Sequence, residues 1–203
     1  MAAAPLAVVD PRFCAPRALP LTLAMNLTRG GTVTDAGGAV VLRVDVTLPR
    51  FLHRFVLVDV AGRPLLAVQR KARYAWYDGH CICQAFSLQS AWEAFRGDSS
   101  DARDLLFSAR RSPALLVRTQ MGVFLAPNTA RRACDFKMKC SYDDRSCDVY
   151  IGSSNTKIAQ ISAAGVLLGK DRFSVTVFPN VDYVFVAALA VMLHEIHTYE
   201  RDR

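Results

Sequence analysis

The sequence predicts a mostly β protein, a barrel or sandwich of short strands enclosing one apolar helix near the C-terminus. Three observations predict it. The run Tyr183–Leu193, Tyr-Val-Phe-Val-Ala-Ala-Leu-Ala-Val-Met-Leu, carries no charge and no polar face. Between Leu21 and Phe178 the chain is mostly short alternating or apolar stretches broken by Gly, Asp, Asn and Pro. At 203 residues and 52% hydrophobic content, the chain is long enough for a full core and too apolar for disorder.

The C-terminal run reads as helix because Ala, Leu and Met dominate its second half. Asp182 is placed to cap it, and Pro179-Asn180 breaks it from the preceding segment. A helix apolar on every side must be surrounded by lipid or by protein. Eleven residues rise about 16 Å, against roughly 30 Å of bilayer hydrocarbon. His194, Glu195, His197 and Glu200 follow at once. The expectation is a buried central helix with Tyr183, Phe185, Ala188, Leu189 and Met192 in its core, and no transmembrane span.

The strands that would surround it follow in order. Leu42–Val46 and Phe173–Phe178 alternate with the strand period, and Phe55–Val58, Leu65–Val68, Ala114–Val117 and Val123–Ala126 are short strand-like runs. Asp135–Cys140 sets Phe136, Met138 and Cys140 on one face and Lys137 and Lys139 on the other. Cys147–Ile151 and Ile158–Ile161 flank the turn-rich Gly152-Ser-Ser-Asn155, a hairpin signal. Asp35–Val44 echoes Asp59–Val68: each has an Asp, a Gly-containing turn and an apolar strand. Two similar hairpins explain the echo better than gene duplication. A barrel filled by one apolar helix satisfies both halves of this reading, and no linker divides residues 1–203.

Function is less legible. The N-terminus lacks a basic n-region and a long apolar core, so no secretory signal is expected. Residue 2 is Ala and the C-terminus offers no prenylation Cys. A cytoplasmic chain follows, meeting any membrane through its surface. The six cysteines, Cys14, Cys81, Cys83, Cys134, Cys140 and Cys147, contain no Cys-x-x-Cys pair. They are expected to be reduced, with Cys140 and Cys147 as small core residues. His80-Cys81-Ile-Cys83 is the nearest approach to a ligand cluster and reads as an ordinary loop. His194-Glu-Ile-His197 falls one residue short of a zinc-protease helix. No metal or cofactor is expected. There is no nucleophile elbow, phosphate loop or dinucleotide fingerprint. Each of the four scattered histidines reads equally as a helix-end or surface group or as a base, and Asp143-Asp144 beside Arg145 reads as a solvated pair. No catalytic residue is assigned.

The charge balance is more telling. The net charge is +7, and basic residues come in pairs: Arg70-Lys71, Arg110-Arg111, Arg131-Arg132, then Lys137 and Lys139. A strand aiming Lys137 and Lys139 outward, with Arg131 and Arg132 close in sequence, could hold a phosphorylated headgroup at an anionic membrane surface. A basic surface without a partner is the plainer alternative. Nucleic acid is less favoured, because no recognition signature is present and the aromatics do not interleave with the basic pairs along the chain.

Several stretches carry a family resemblance. Gly169–Leu193 resembles the C-terminal signature of the plant LURP-one-related proteins. Val9-Asp-Pro-Arg-Phe-Cys14 resembles the family's opening, Leu57–Pro64 its strand-and-turn, Trp92–Ser99 its central motif and Cys147-Asp-Val-Tyr150 a fourth. Together they span nearly the whole chain. The resemblance implies a tubby-like fold, a closed twelve-stranded antiparallel β-barrel around a buried C-terminal helix. It also implies kinship with phospholipid scramblases and with membrane-tethered tubby-like transcription factors, no catalytic residues, and a link to plant defence. Fold kinship is an associational ground for function. Two departures stand out. Residues 72–86 look like an added loop or a gene-model artefact, and the segment around Arg29-Gly30-Gly31 looks shortened. Three readings result: phosphoinositide or anionic membrane docking, a protein-interaction scaffold in defence signalling, and a nucleic-acid-binding regulator. They place the chain in the cytoplasm, peripherally at the plasma membrane, or in the nucleus.

Overall fold

Alternation decides which side of each strand faces inward. In β1 (Leu19–Asn26), Leu21, Leu23 and Met25 are buried and the residues between them are not. The same rule runs through β2 (Gly30–Asp35) and β3 (Val40–Thr47), whereas β4 (Arg54–Val58) and β5 (Pro64–Arg70) bury both faces, with Val56, Val58 and Ala67 forming a second small cluster. Alternation continues in β8 (Ala91–Arg96), β9 (Leu105–Ser112), β10 (Gln120–Leu125), β11 (Phe136–Ser141), β12 (Ser146–Ile151), β13 (Lys157–Leu167) and β14 (Lys170–Val177), with Phe95, Ser108 and Ile158 buried out of phase. In this computed structural model, residues 4–26, 30–47, 54–71, 74–77, 80–83, 91–112, 120–141, 146–167 and 170–201 are described.

These twelve strands form one closed antiparallel barrel, each paired with its neighbours in that order, and β1 closes the ring against β14. A hairpin of β6 (Tyr74–Tyr77) and β7 (His80–Cys83) forms a separate sheet. Because β5 pairs directly with β8, this hairpin is an excursion from the barrel between those two strands. Ala114–Val117 and Asp143–Arg145 lie outside the described residues, as do the side chains of His80, Cys81 and Cys83.

The helix α1 (Tyr183–Arg201) fills the interior. Val184 through Leu193 are each 2% exposed or less, and Phe185 packs against Phe107 and Phe136 with ring centroids 5.1 and 5.0 Å away. Phe185, Ala188, Leu189 and Met192 are fully enclosed, while Tyr183 is half-buried at the helix start with its ring edge-on to Phe13. Among the described residues no helix is long and apolar enough to cross a membrane.

The twin Asp turns are the same structure built twice. Asp35 and Asp59 each accept two backbone N–H bonds through Oδ1, from Gly37 and Ala39 and from Ala61 and Arg63. Gly38 and Gly62 then take φ of 84° and 81°, a left-handed conformation that glycine adopts without steric cost. Both hairpins carry a bulge in the register next to the turn. In the first hairpin, Asn26 lies opposite Gly30, and a methyl group at Gly30 would collide with the Val44 carbonyl.

Two expectations are corrected. His194 is 1% exposed, which excludes the surface reading of it, and Glu195 beside it is 4% exposed. Burial of polar groups requires partners. Trp92 Nε1 donates to Glu195 Oε2 at 2.7 Å, and His194 Nδ1 lies 3.3 Å from Asp171 Oδ2. The second concerns the cysteines expected to be reduced. Cys140 and Cys147 are opposite one another in the β11–β12 register and form a disulfide. A symmetric hairpin with both side chains inward leaves the sulfurs facing each other. Cys14 and Cys134 are free thiols.

One carboxylate ties the chain ends together. Asp182 Oδ1 accepts from the N–H groups of Val184 and Phe185 at 3.0 and 3.1 Å, capping α1 as expected. Its Oδ2 accepts from Val8, Val9 and Asp10 at 3.2, 2.7 and 3.2 Å. Leu6 bridges Val181 beside it, and Asn180 N donates to the Ala15 carbonyl at 2.7 Å. The N-terminal segment thus lies as a strap across the end of the barrel, with Val9 and Phe13 in the core. Burial pushes the Asp182 carboxyl up from its ordinary pKa, against the pull of the N–H donors.

Asp182→Ala is expected to cost at least about 3 kcal/mol in urea unfolding, combining a lost helix cap with buried N–H groups left without an acceptor. Asp182→Asn retains one acceptor oxygen and turns an NH₂ toward the other donors, so it should fall between wild type and the alanine variant. Equal stability of all three would contradict this role.

Candidate functional site

Side-chain alternation splits the pairs Arg110-Arg111 and Arg70-Lys71 between the two faces of the barrel wall. In β11, Phe136, Met138 and Cys140 point inward, leaving Lys137 and Lys139 half-buried on the outside. Arg110 is on the outer face of β9, whereas Arg111 lies opposite buried Met121 and so belongs to the inner face. Arg70 likewise lies opposite inward-facing Trp92, while Lys71 pairs with Glu93 at 2.6 Å.

The register assembles a row that sequence proximity does not show. Arg110 is opposite Gly122, Gly122 opposite Lys137, Lys137 opposite Tyr150, and Tyr150 opposite Lys157. The next row across runs Ser112, Gln120, Lys139, Asp148, Gln160. Strands β9–β13 therefore present Arg110, Lys137, Lys139 and Lys157 on one outer face, and Asp148 is the only carboxylate in those five strands.

Asp148 organises the centre of this face. Lys157 Nζ is 2.9 Å from its Oδ2, and the Tyr150 hydroxyl donates to the same oxygen at 3.1 Å. Lys139 Nζ lies over the Tyr150 ring, 5.0 Å from its centroid. The hydrogen bond to Asp148 raises the Lys157 pKa, and burial followed by the Asp148 bond raises that of Tyr150. Lys157 remains charged at neutral pH, so the face keeps an excess of positive charge.

Arg131 and Arg132 sit in the connection between β10 and β11. Asp135 Oδ2 accepts from Leu125 N and Asn128 Nδ2, both at 2.8 Å, and Asn128 Oδ1 accepts from Arg131 N at 3.1 Å. These bonds hold Arg131 at φ 49°. The connection folds against the outer side of β10: a methyl group on Gly122 would lie 3.4 Å from Cys134 Cβ and 3.3 Å from the Phe124 ring. Since Gly122 is the direct partner of Lys137, this connection is brought beside that lysine. Phe124 and Tyr150 also share the cationic face, so aromatics interleave with the cations in space although not along the chain.

The residues missed in the sequence are Arg110, Tyr150 and Lys157. Lys157 was the most accessible of these, because a hairpin about Gly152–Asn155 sets it near Tyr150 across the turn. Elsewhere, no group of three His, Cys, Asp or Glu among the described residues could hold a metal ion. His194 faces the interior against Asp171 and the Phe173 ring.

The chain matches a family model described as LURP-one-related over residues 22–194. It is 37% identical to Protein LURP-one-related 15 of Arabidopsis thaliana, covering 96% of this chain and 87% of that protein. It is 34% identical to Protein LURP1 of Arabidopsis thaliana, covering 95% and 90%. An X-ray structure of an Arabidopsis thaliana protein superposes with a TM-score of 0.71 at 34% identity, covering 94% of this chain and 98% of that one.

Replacing Asp148 by Asn should return the Lys157 amine toward the ordinary lysine pKa, since the side-chain bond that raises it is weakened. Side-chain NMR titration of Lys157 in both proteins measures this. An identical titration would show that Asp148 does not organise the face.

Proposed function

The chain belongs to the LURP-one-related family, and we propose that it is a non-enzymatic barrel module that docks on anionic phospholipid membrane through the outer face of β9–β13. The observation that carries this reading is the row of Arg110, Lys137 and Lys157 on alternating strands, with Lys139 beside it and one carboxylate among them. Neighbouring strands lie about 4.8 Å apart, so successive cations in the row are spaced by roughly 10 Å. That spacing lets several side chains meet different headgroup phosphates. Each Lys or Arg near an anionic leaflet contributes about 1 kcal/mol, which gives reversible, salt-dependent attachment. Phosphoinositides, with more phosphate per headgroup, would be held best.

A binding role is supported over a catalytic one because α1 occupies the barrel interior and the buried Glu195 is engaged by Trp92 Nε1. This reading puts the protein in the cytoplasm, at the inner face of the plasma membrane or in the nucleus, with plant defence as its setting. A nucleic-acid-binding reading draws on Tyr150 and Phe124, whose rings lie on the same face and could stack on bases. A protein scaffold indifferent to lipid is the third outcome.

Liposome co-sedimentation with and without phosphoinositides tests the proposal, comparing wild type, Lys137→Glu/Lys139→Glu and Arg110→Glu/Lys157→Glu. Selective sedimentation lost in both variants is expected. Binding unchanged by either variant moves the site off this face. No binding by wild type, with retention of single-stranded DNA, turns the reading to nucleic acid; indifference to both turns it to a scaffold.

A further inference from the structure

We infer that Cys140 and Cys147 are a reversible thiol–disulfide pair that regulates the cationic face from inside the barrel wall. This rests on the reading of that face as the binding surface. The two cysteines are opposite each other in the β11–β12 register, and the adjacent pair is Lys139 opposite Asp148. The sulfurs belong to the core while the next residue on each strand belongs to the outer cluster. One peptide unit therefore separates the bond from the groups that orient Lys139, Tyr150 and Lys157.

Both states are compatible with a folded barrel. Six consecutive residue pairs join β11 to β12, so the ladder keeps the cysteines opposed without the bond. The sequence separation is only seven, and a bond closing so short a loop removes little chain entropy compared with a long-range one. Reduction should leave the fold intact. It still changes local geometry, because two thiols cannot approach as closely as two bonded sulfurs, and close-packed interiors transmit such a change. The hairpin must then yield at Cys140–Cys147, which loosens Lys139 and Asp148 on the other side. The oxidised form, with its cations held in place, binds anionic surface more tightly because less ordering is left to the binding step.

The exchange balances with glutathione disulfide as oxidant. One cysteine thiolate attacks a glutathione sulfur and releases a first glutathione thiolate. The second cysteine thiolate attacks the protein sulfur of the mixed disulfide and releases the second. Two protein thiols are oxidised, one glutathione disulfide is reduced to two glutathiones, and the cysteine protons pass to the departing thiolates. Both sulfurs are buried, at 4% and 1% exposure, so exchange proceeds through opening of the hairpin and is slow.

The test equilibrates wild type with reduced or oxidised glutathione, verifies the bond by the mass of the unalkylated peptide, and measures co-sedimentation with phosphoinositide-containing liposomes. Reduction is expected to weaken binding roughly fivefold, the equivalent of one displaced lysine. Cys140→Ala/Cys147→Ala should match the reduced protein and ignore glutathione. Amide exchange at Lys139 and Asp148 should quicken on reduction and serves if the double variant does not fold. Equal binding and equal exchange in both states overturn the inference while leaving the face intact as a binding surface. Failure of the oxidised protein to bind at all would overturn the reading of the face itself. A pair that cannot be oxidised by glutathione disulfide also overturns the inference.

Discussion

The fold depends on one buried carboxylate. Asp182 caps α1 with one oxygen and collects three N–H donors of the N-terminal strap with the other. The first turn of α1 is buried, so its N–H groups must be satisfied inside the protein. Asp182 meets that need and fixes where the chain's first residues lie. Arg96 Nη1 reaches the Val9 carbonyl at 3.2 Å, which ties the strap to β8 as well. The end of the barrel is thereby closed by chain that is more than 170 residues away in sequence.

Helix and barrel each require the other. Without α1, the inward rows of Phe, Val, Leu and Met on twelve strands would face a void, and without the barrel the helix would expose an apolar surface all round. His194 and Glu195, the buried polar residues of α1, lie against groups on the wall, Asp171 and Trp92. With the inside so committed, the outer face is where recognition chemistry has room. Lys137, Lys139, Arg110 and Lys157 need not pack, so they project from a rigid sheet at strand spacing. The disulfide adjoins both sides: it belongs to the core, yet neighbouring residues along its two strands are Lys139 and Asp148.

Much of the fold was legible because period and turn chemistry are local. The uncharged run Tyr183–Leu193, the cap at Asp182 and the twin turns at Asp35 and Asp59 all follow from residues within one element. The burial of His194 was not legible, since its partner Asp171 sits on another strand and the helix alone gave no sign of where the barrel ends. The strap was hidden for the same reason: nothing near Val9 announces an acceptor at Asp182. Pairing of Cys140 with Cys147 could have been read from their symmetric placement about Asp143-Asp144, but treating each cysteine on its own strand missed it. The cationic face was half legible. Alternation gave Lys137 and Lys139, while Arg110 and Lys157 needed the register, and the pairs Arg110-Arg111 and Arg70-Lys71 were broken up by the same alternation.

The central claim is that the strap and α1 form one cooperative unit through Asp182. Native-state hydrogen exchange of the Val9 and Phe185 amides tests it most directly. Both donate to that carboxylate, so the account predicts that they open together, with one free energy close to that of global unfolding. A Val9 amide that exchanges as a frayed terminus while Phe185 stays protected would contradict it.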